Sequence, residues 1–170
     1  MSEPAVTIRE AQPGDVPTLL TLLAELAEYE QLSDQLRATS ELMHDALFGA
    51  RPSAEALIAE LDGEPAGYAL FFQTFSTFLA RPGIWLEDVF VRPAARRHGI
   101  GRGLLAAVAA RAHERGGRFE WSALDWNELA LGFYKSLGAQ QMGEWITHRL
   151  VGEELAALAA EAPGAGGAGA

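Results

Sequence analysis

A glycine-rich turn joins an apolar strand to an apolar helix in the middle of the chain. The strand reads IWLEDVFV over residues 84–91, and the helical pattern GRGLLAAVAARAHER covers residues 101–115. Several arginines and the glycines Gly99 and Gly101 lie at the turn. The first N–H groups of a helix have no helical partner and carry partial positive charge, so this segment predicts an anion site. The glycines let the backbone approach a phosphate closely, and we expect a pyrophosphate.

Several kinds of glycine turn bind phosphates, and the spacing distinguishes them. A Walker A loop needs a glycine followed by Lys-Ser/Thr, which the sequence lacks, so hydrolysis of ATP or GTP is excluded. A Rossmann fingerprint needs glycine at its first, third and sixth positions, and the sixth position counted from Gly99 is Leu104. Arg96, Arg97 and Arg102 could add charge-assisted hydrogen bonds to a phosphate. A structural turn with solvated arginines is the alternative, because short glycine motifs recur by chance.

Length and composition limit the class of protein. A chain of 170 residues is typical of one domain, and its net charge of −10 argues against a general nucleic-acid surface and favours cationic partners. The chain has no cysteine, and its histidines lack metal-ligand spacing, so we expect no disulfide and no metal site. The apolar runs are short, and no basic segment precedes an apolar one at the N-terminus. We therefore expect no membrane span, no signal peptide and a cytoplasmic location.

Hydrophobic periodicity predicts an α/β fold with a mixed sheet, in the order β-α-α-β-β-β-α-β-α-β. The expected elements are strand 6–10, helix 16–27, helix 41–48, strands 56–61 and 65–75, strand 84–91, helix 101–115, strand 118–124, helix 128–137 and a last strand or pair of strands over 139–150. The expected N-caps are Asp15, then Thr39 or Ser40, then Asn127, and Gly138 follows the 128–137 helix. We expect one domain over residues 1–151, then a weak helix and a flexible Gly/Ala tail over residues 152–170.

The turn carries a recognisable motif. Residues 96–101, RRHGIG, match the pattern [QR]-x-x-G-x-[GA], and the chain thereby resembles the GNAT acetyltransferases. The segments LAEYE (26–30), LEDVFV (86–91), WNE (126–128), FYK (133–135) and GA (138–139) resemble, more narrowly, the diamine (spermidine/spermine) N-acetyltransferase group, which includes the thialysine acetyltransferases. The resemblance runs from about residue 6 to residue 150. It implies the GNAT acyl-CoA N-acyltransferase fold, a mixed but mostly antiparallel sheet flanked by helices, and a homodimer.

The resemblance also implies acetyl-CoA as co-substrate, with no metal, and a set of residues that hold it. Those residues are Val89, Phe90, Val91, Arg96, Arg97, His98, Gly99, Ile100, Gly101, Arg102, Asn127 and Tyr134. The strand would contribute backbone groups, because GNAT strands splay at this point and leave such groups unpaired. We expect the side chain of His98 in solvent. Asn127 has two compatible roles, as an N-cap and as a cofactor contact.

Acetylation of an amine requires that a proton first be removed. A primary amine has a pKa near 10.4, so only about one molecule in 2,500 is neutral at pH 7. Glu87 lies in an apolar strand where burial would raise its pKa, and the resemblance makes it the base, acting through water. Asp88 should point to the opposite face unless a β-bulge intervenes, and structural ion pairs are the alternative for both acids. The resemblance makes Tyr134 the acid that protonates the leaving thiolate, whereas helix periodicity alone favours a core aromatic.

The implied substrate is a small cationic amine. Tyr29, Glu30, Glu87 and Asp88 are the expected substrate-binding residues. The loop Ser76-Thr77-Phe78 lacks the acid found there in polyamine enzymes, which favours thialysine-like amino acids or short diamines over spermidine. The alternatives are acetylation of a protein N-terminus, a lysine or an aminoglycoside, and a non-catalytic acyl-CoA-binding module. We expect no nucleic-acid or membrane partner.

Overall fold

The computed structural model describes residues 4–163 and divides into two compact units, one ending at Ser122 and the other beginning at Ala123. The elements of the first unit are β1 (Val6–Glu10), α1 (Val16–Tyr29), α2 (Ser40–Phe48), β2 (Glu55–Leu61), β3 (Glu64–Ser76), β4 (Arg81–Val91), α3 (Ile100–Glu114) and β5 (Phe119–Trp121). The second unit contains α4 (Glu128–Ser136) and α5 (Gly152–Ala160). No helix in the described residues is long and apolar enough to span a membrane.

The sheet of the first unit has the strand order β1-β2-β3-β4-β5. The first four strands pair antiparallel, and β5 pairs parallel to β4. A short turn at Asp62 and Gly63, both with positive φ, connects β2 to β3 as the predicted hairpin. The prediction of a mixed, mostly antiparallel sheet is thereby confirmed.

Helices cover both faces of this sheet. On one face, α1 and α2 pack on a core that includes Leu19, Leu22, Ile58 and Tyr68, each at most 1% exposed. On the other face, α3 lies so close to β1 that a Cβ on Gly103 would stand 2.6 Å from Cδ1 of Ile8. We call these the α1 face and the α3 face.

A β-bulge divides β4. Across the β3–β4 ladder, Asp88 pairs with Leu70 and Leu86 pairs with Phe71, so Glu87 is an extra residue without a cross-strand partner. Because side chains alternate along a strand, an unbulged β4 would place Leu86 and Asp88 on one face. The bulge instead leaves Leu86 on the α3 face with Phe71 and places Asp88 on the α1 face.

Several helix ends follow local sequence rules. Thr39 caps α2 by accepting from the N–H of Leu42 at 3.2 Å, as predicted. Gly138 ends α4 with φ of +85° in a Schellman motif, in which its own N–H donates to Lys135 O at 3.0 Å. Asp15 lies at the N-cap position of α1, as predicted, but its carboxylate makes no capping hydrogen bond to that helix. It accepts from the Gln12 N–H and from Arg9 at 2.7 Å each, and the Arg9 hydrogen bond is the main cause that lowers the pKa of Asp15.

The predicted final strand over residues 139–150 is wrong, since the structure shows no regular strand there. A strand forms only where a neighbour can pair with its backbone, and no ladder within residues 4–163 includes this segment. It contains instead a turn in which the N–H of Trp145 donates to Met142 O at 3.1 Å. The predicted terminal helix is present as α5, and the expected Gly/Ala tail lies outside the described residues from position 164 onward.

Candidate functional site

The N-terminus of α3 is built to receive an anion. Gly99 is the N-cap residue with φ of +77°, and the first helical hydrogen bond runs from the Gly103 N–H to Gly99 O at 2.9 Å. The N–H groups of Ile100, Gly101 and Arg102 thus precede the helical ladder, and no acidic residue lies in the first turn. Gly99 and its neighbours Arg97, His98 and Arg102 are exposed. This end of the helix fits a phosphate group.

Beyond the bulge, no strand within residues 4–163 pairs with the outer edge of β4. Pairing with β5 covers only Ile84–Leu86. The Arg92 N–H donates to Ala66 O at 2.9 Å, and by the alternation of an antiparallel ladder the backbone groups of Phe90 also face β3. The backbone groups of Val89 and Val91 therefore face away from β3, past the end of β5. Among the predicted strand residues, Val89 and Val91 offer backbone groups at this edge, whereas those of Phe90 are directed into the sheet.

Two arginines near the turn are engaged within the protein. Arg96 donates from Nε to Val91 O at 3.1 Å, and its guanidinium lies 5.2 Å from the centre of the Tyr29 ring. Arg92 pairs with Glu25 at 2.7 Å and donates to Pro65 O at the same distance. Arg96 thus links the predicted cofactor turn to a predicted substrate residue.

Carboxylates gather on the α1 face beside this strand. Burial, then the charge of Glu87 and, more weakly, that of Glu30 at the end of α1, raise the pKa of Asp88 to about 6. Burial also raises the pKa of Glu30. The fold therefore brings Glu30 and Glu87 close enough to Asp88 to interact with it electrostatically, and burial makes negative charge costly at Asp88 and Glu30. A cation bound there would relieve that cost.

The expected burial of Glu87 is wrong. Glu87 is exposed, and its carboxylate accepts a hydrogen bond from Nε1 of Trp85 at 3.1 Å. The physical reason is the bulge, which leaves Glu87 unpaired and directs Asp88 toward the α1 face. The carboxyl with the strongly raised pKa is that of Asp88, which is half-buried.

The second unit carries the remaining predicted residues. The side chain of Asn127 caps α4 by accepting from the Ala130 N–H at 3.2 Å, which confirms its predicted capping role. Tyr134 lies on α4, is half-buried and has its ring centre 5.6 Å from that of Phe133. The contact of Asn127 with a cofactor and the acid role of Tyr134 stay predictions.

Sequence reasoning missed Tyr68, which lies next to this carboxylate cluster. Its side chain is 1% exposed on β3, and burial, followed by the charge of Asp88, raises the pKa of its hydroxyl. The available signal was a single hydroxyl-bearing residue in the run AGYALFF. That run is apolar on both sides of Tyr68, so its pattern does not show which residue borders a charged group.

Substitution of Gly99 by alanine is expected to weaken acetyl-CoA binding by about tenfold. The left-handed φ of +77° costs a residue with a Cβ about 1–2 kcal/mol, and relaxation of the turn would misdirect the N–H groups that follow. Isothermal titration calorimetry with acetyl-CoA measures the effect. The matched control is G14A, because Gly14 is also exposed and has no atom within 4 Å of an added Cβ. Equal affinities of G99A and G14A would contradict the assignment of the turn.

Comparisons with known proteins agree with this geometry. Residues 19–139 match the profile of the Acetyltransferase (GNAT) family. Thialysine N-epsilon-acetyltransferase of Sus scrofa is 40% identical, with 91% of this chain and 98% of that protein covered. L-ornithine N5-acetyltransferase of Arabidopsis thaliana is 32% identical, with 89% and 86% covered. An integron cassette protein from the mobile metagenome of V. cholerae superposes with a TM-score of 0.76 at 26% identity, with 91% and 97% covered. The chain belongs to the GNAT acetyltransferase family and is an N-acetyltransferase.

Proposed function

We propose that this enzyme transfers the acetyl group of acetyl-CoA to a primary amine of a small cationic substrate, by direct attack within a ternary complex. The observation that carries the proposal is the arrangement around the β4 bulge. Asp88 directs a carboxyl group with a raised pKa to the α1 face, and the next residue, Val89, presents its backbone groups at the open strand edge. A cation-binding group and a cofactor-binding edge are therefore adjacent in the chain.

The residues present fit acetyl-CoA, which would supply the acetyl group as a thioester. The N–H groups at the start of α3 would hold the pyrophosphate, with Arg97 and Arg102 adding charge. The backbone groups of Val89 and the N–H of Val91 would bind the pantetheine arm, and Asn127 would add a contact. Arg96 has a structural role. Its guanidinium packs over the Tyr29 ring and its Nε donates to the Val91 carbonyl, so these contacts hold both groups in place.

The carboxylates support a cationic amine as the second substrate. Glu30 and Asp88 would hold the ammonium group, and Glu87, which is exposed, would take its proton through water. Tyr134 would donate its phenolic proton to the leaving thiolate. In this scheme the amine nitrogen forms the new C–N bond and the C–S bond breaks. One N–H proton goes to Glu87 before the attack, and a second N–H proton, lost as the amide forms, returns through solvent to the phenolate of Tyr134.

The names of the relatives favour amino acids with a side-chain amine over polyamines. The Sus scrofa relative is named for the N-epsilon of thialysine, and the Arabidopsis relative for the N5 of L-ornithine. The loop Ser76-Thr77-Phe78 also carries no acidic residue that could bind a second ammonium group of a long polyamine. We therefore rank thialysine-like amino acids and short diamines ahead of spermidine. A homodimer and a cytoplasmic location stay predictions.

Release of free thiol from acetyl-CoA tests the proposal. The purified protein is assayed with thialysine, ornithine, lysine, short diamines, spermidine, an aminoglycoside and a lysine peptide. We expect the highest kcat/KM with the amino acids and intersecting initial-rate plots, as a ternary complex requires. Turnover only with the peptide or the aminoglycoside would favour those substrate classes instead. Binding of acetyl-CoA without turnover on any amine would point to a non-catalytic module.

A further inference from the structure

We propose that Tyr68 is a positioning residue for the reaction: its buried hydroxyl donates a hydrogen bond to the Asp88 carboxylate and holds that group, ionised, toward the amine. The kinetic consequence of this inference rests on the proposed function. The inferred contact does not, because both side chains belong to the first unit and lie on the same face of its sheet without any substrate.

The ladder places the two side chains together. Tyr68 pairs with Phe90 across β3 and β4, and Asp88 pairs with Leu70 two residues along each strand. Tyr68 and Asp88 are therefore diagonal neighbours on one face, at a separation that a long side chain spans. The bulge at Glu87 is what places Asp88 on this face.

The hydroxyl of Tyr68 is buried, and a buried hydroxyl needs a hydrogen-bond partner. The side chain is 1% exposed, and within residues 4–163 the hydroxyl oxygen forms no hydrogen bond of full geometry. A buried hydroxyl without a partner destabilises a protein, and phenylalanine would fill nearly the same space without that cost. The Asp88 carboxyl is close enough for hydrogen-bond and charge interactions that shift the pKa of both groups. A small rotation of the carboxyl would complete the bond.

The groups that face Asp88 shift its pKa in opposite directions. Glu87 on its own strand and Glu30 from α1 oppose its ionisation, whereas the Tyr68 hydroxyl from β3 favours it. Burial and the Asp88 charge raise the pKa of Tyr68 well above its usual range, so the phenol keeps its proton and stays a donor. Without this donor, Asp88 would be protonated over more of the neutral pH range, and a protonated carboxyl binds an ammonium group poorly.

The Y68F variant tests the inference, with I58V as the matched control. Ile58 lies directly opposite Tyr68 on β2 and is fully buried, so I58V disturbs the same core without touching the hydroxyl. Carboxyl ¹³C NMR of the substrate-free protein measures the titration of Asp88, and circular dichroism verifies folding. We expect the Asp88 pKa to rise by about one unit in Y68F, because one hydrogen bond to a charged group is lost, and to stay in place in I58V.

The pH profile of kcat/KM for the amine supplies the second readout. In Y68F its acidic limb should move upward by the same amount, with no displacement in I58V. An unchanged or lowered Asp88 pKa in Y68F, or an equal rise in I58V, would overturn the inference. A raised Asp88 pKa without any displacement of the kinetic profile has a different meaning. It would leave the Tyr68 contact in place and overturn the role of Asp88 in the proposed function.

Discussion

Replacement of Tyr134 by phenylalanine is expected to lower kcat by about 10²–10⁴-fold while leaving the affinity for acetyl-CoA unchanged. The thiolate that leaves during acyl transfer has a pKa near 8.5, and a positioned phenol with a pKa near 10 can protonate it as it forms. The change removes one hydroxyl from α4 and keeps the ring that contacts Phe133. Steady-state kinetics and calorimetry on the same preparation separate turnover from binding.

The control for this variant is F133L, which alters the neighbouring ring on α4 and keeps the phenol. If packing on this helix were what matters, F133L would lose as much activity as Y134F. A Y134F enzyme with the kcat of the unaltered protein would show that another group protonates the thiolate.

Replacement of Asp88 by asparagine is expected to reduce kcat/KM for the amine by about 10²-fold and, at the same time, to stabilise the fold at pH 8. The loss of activity follows from removal of a carboxylate that binds the ammonium group in a desolvated place, where charge-assisted hydrogen bonds are strong. The gain in stability follows because asparagine has nearly the same shape and carries no charge to bury.

The sign of the stability effect follows from the pKa. In the folded protein the pKa of Asp88 is about 6, above its usual value of 3.8, so folding disfavours the ionised form. The carboxyl therefore lowers the free energy of unfolding as the pH rises through 6, by at most about 3 kcal/mol, and has no such effect below pH 4. Urea unfolding of D88N at pH 4 and pH 8 measures the difference. The exposed Asp125 provides the control D125N, and equal effects of both variants would contradict the burial argument.

Local sequence was sufficient to predict the turn and helix of the candidate site. Gly99 lies at the predicted turn, directly before α3, and Asn127 and Gly138 bound α4 as expected. These features depend on one or a few consecutive residues, because glycine conformation and capping are local properties.

The features that sequence could not predict depend on a neighbour distant in the chain. The bulge at Glu87 follows from the register of β4 against β3, which the alternation within β4 does not encode. The absence of a strand over residues 139–150 follows from the lack of a pairing partner within the described part of the chain. The position of Tyr68 beside Asp88 is a cross-strand relation of the same kind.

The extra residue Glu87 also indicates how β4 tolerates a change in its length. A chain lacking Glu87 would regain a regular ladder, with Leu86 still opposite Phe71 and Asp88 still opposite Leu70. The hydrophobic core on both faces of the sheet therefore stays intact whether Glu87 is present or absent. A descendant sequence could acquire or discard it by a single-codon insertion or deletion, so the acid proposed to take the proton can come and go without any redesign of the scaffold.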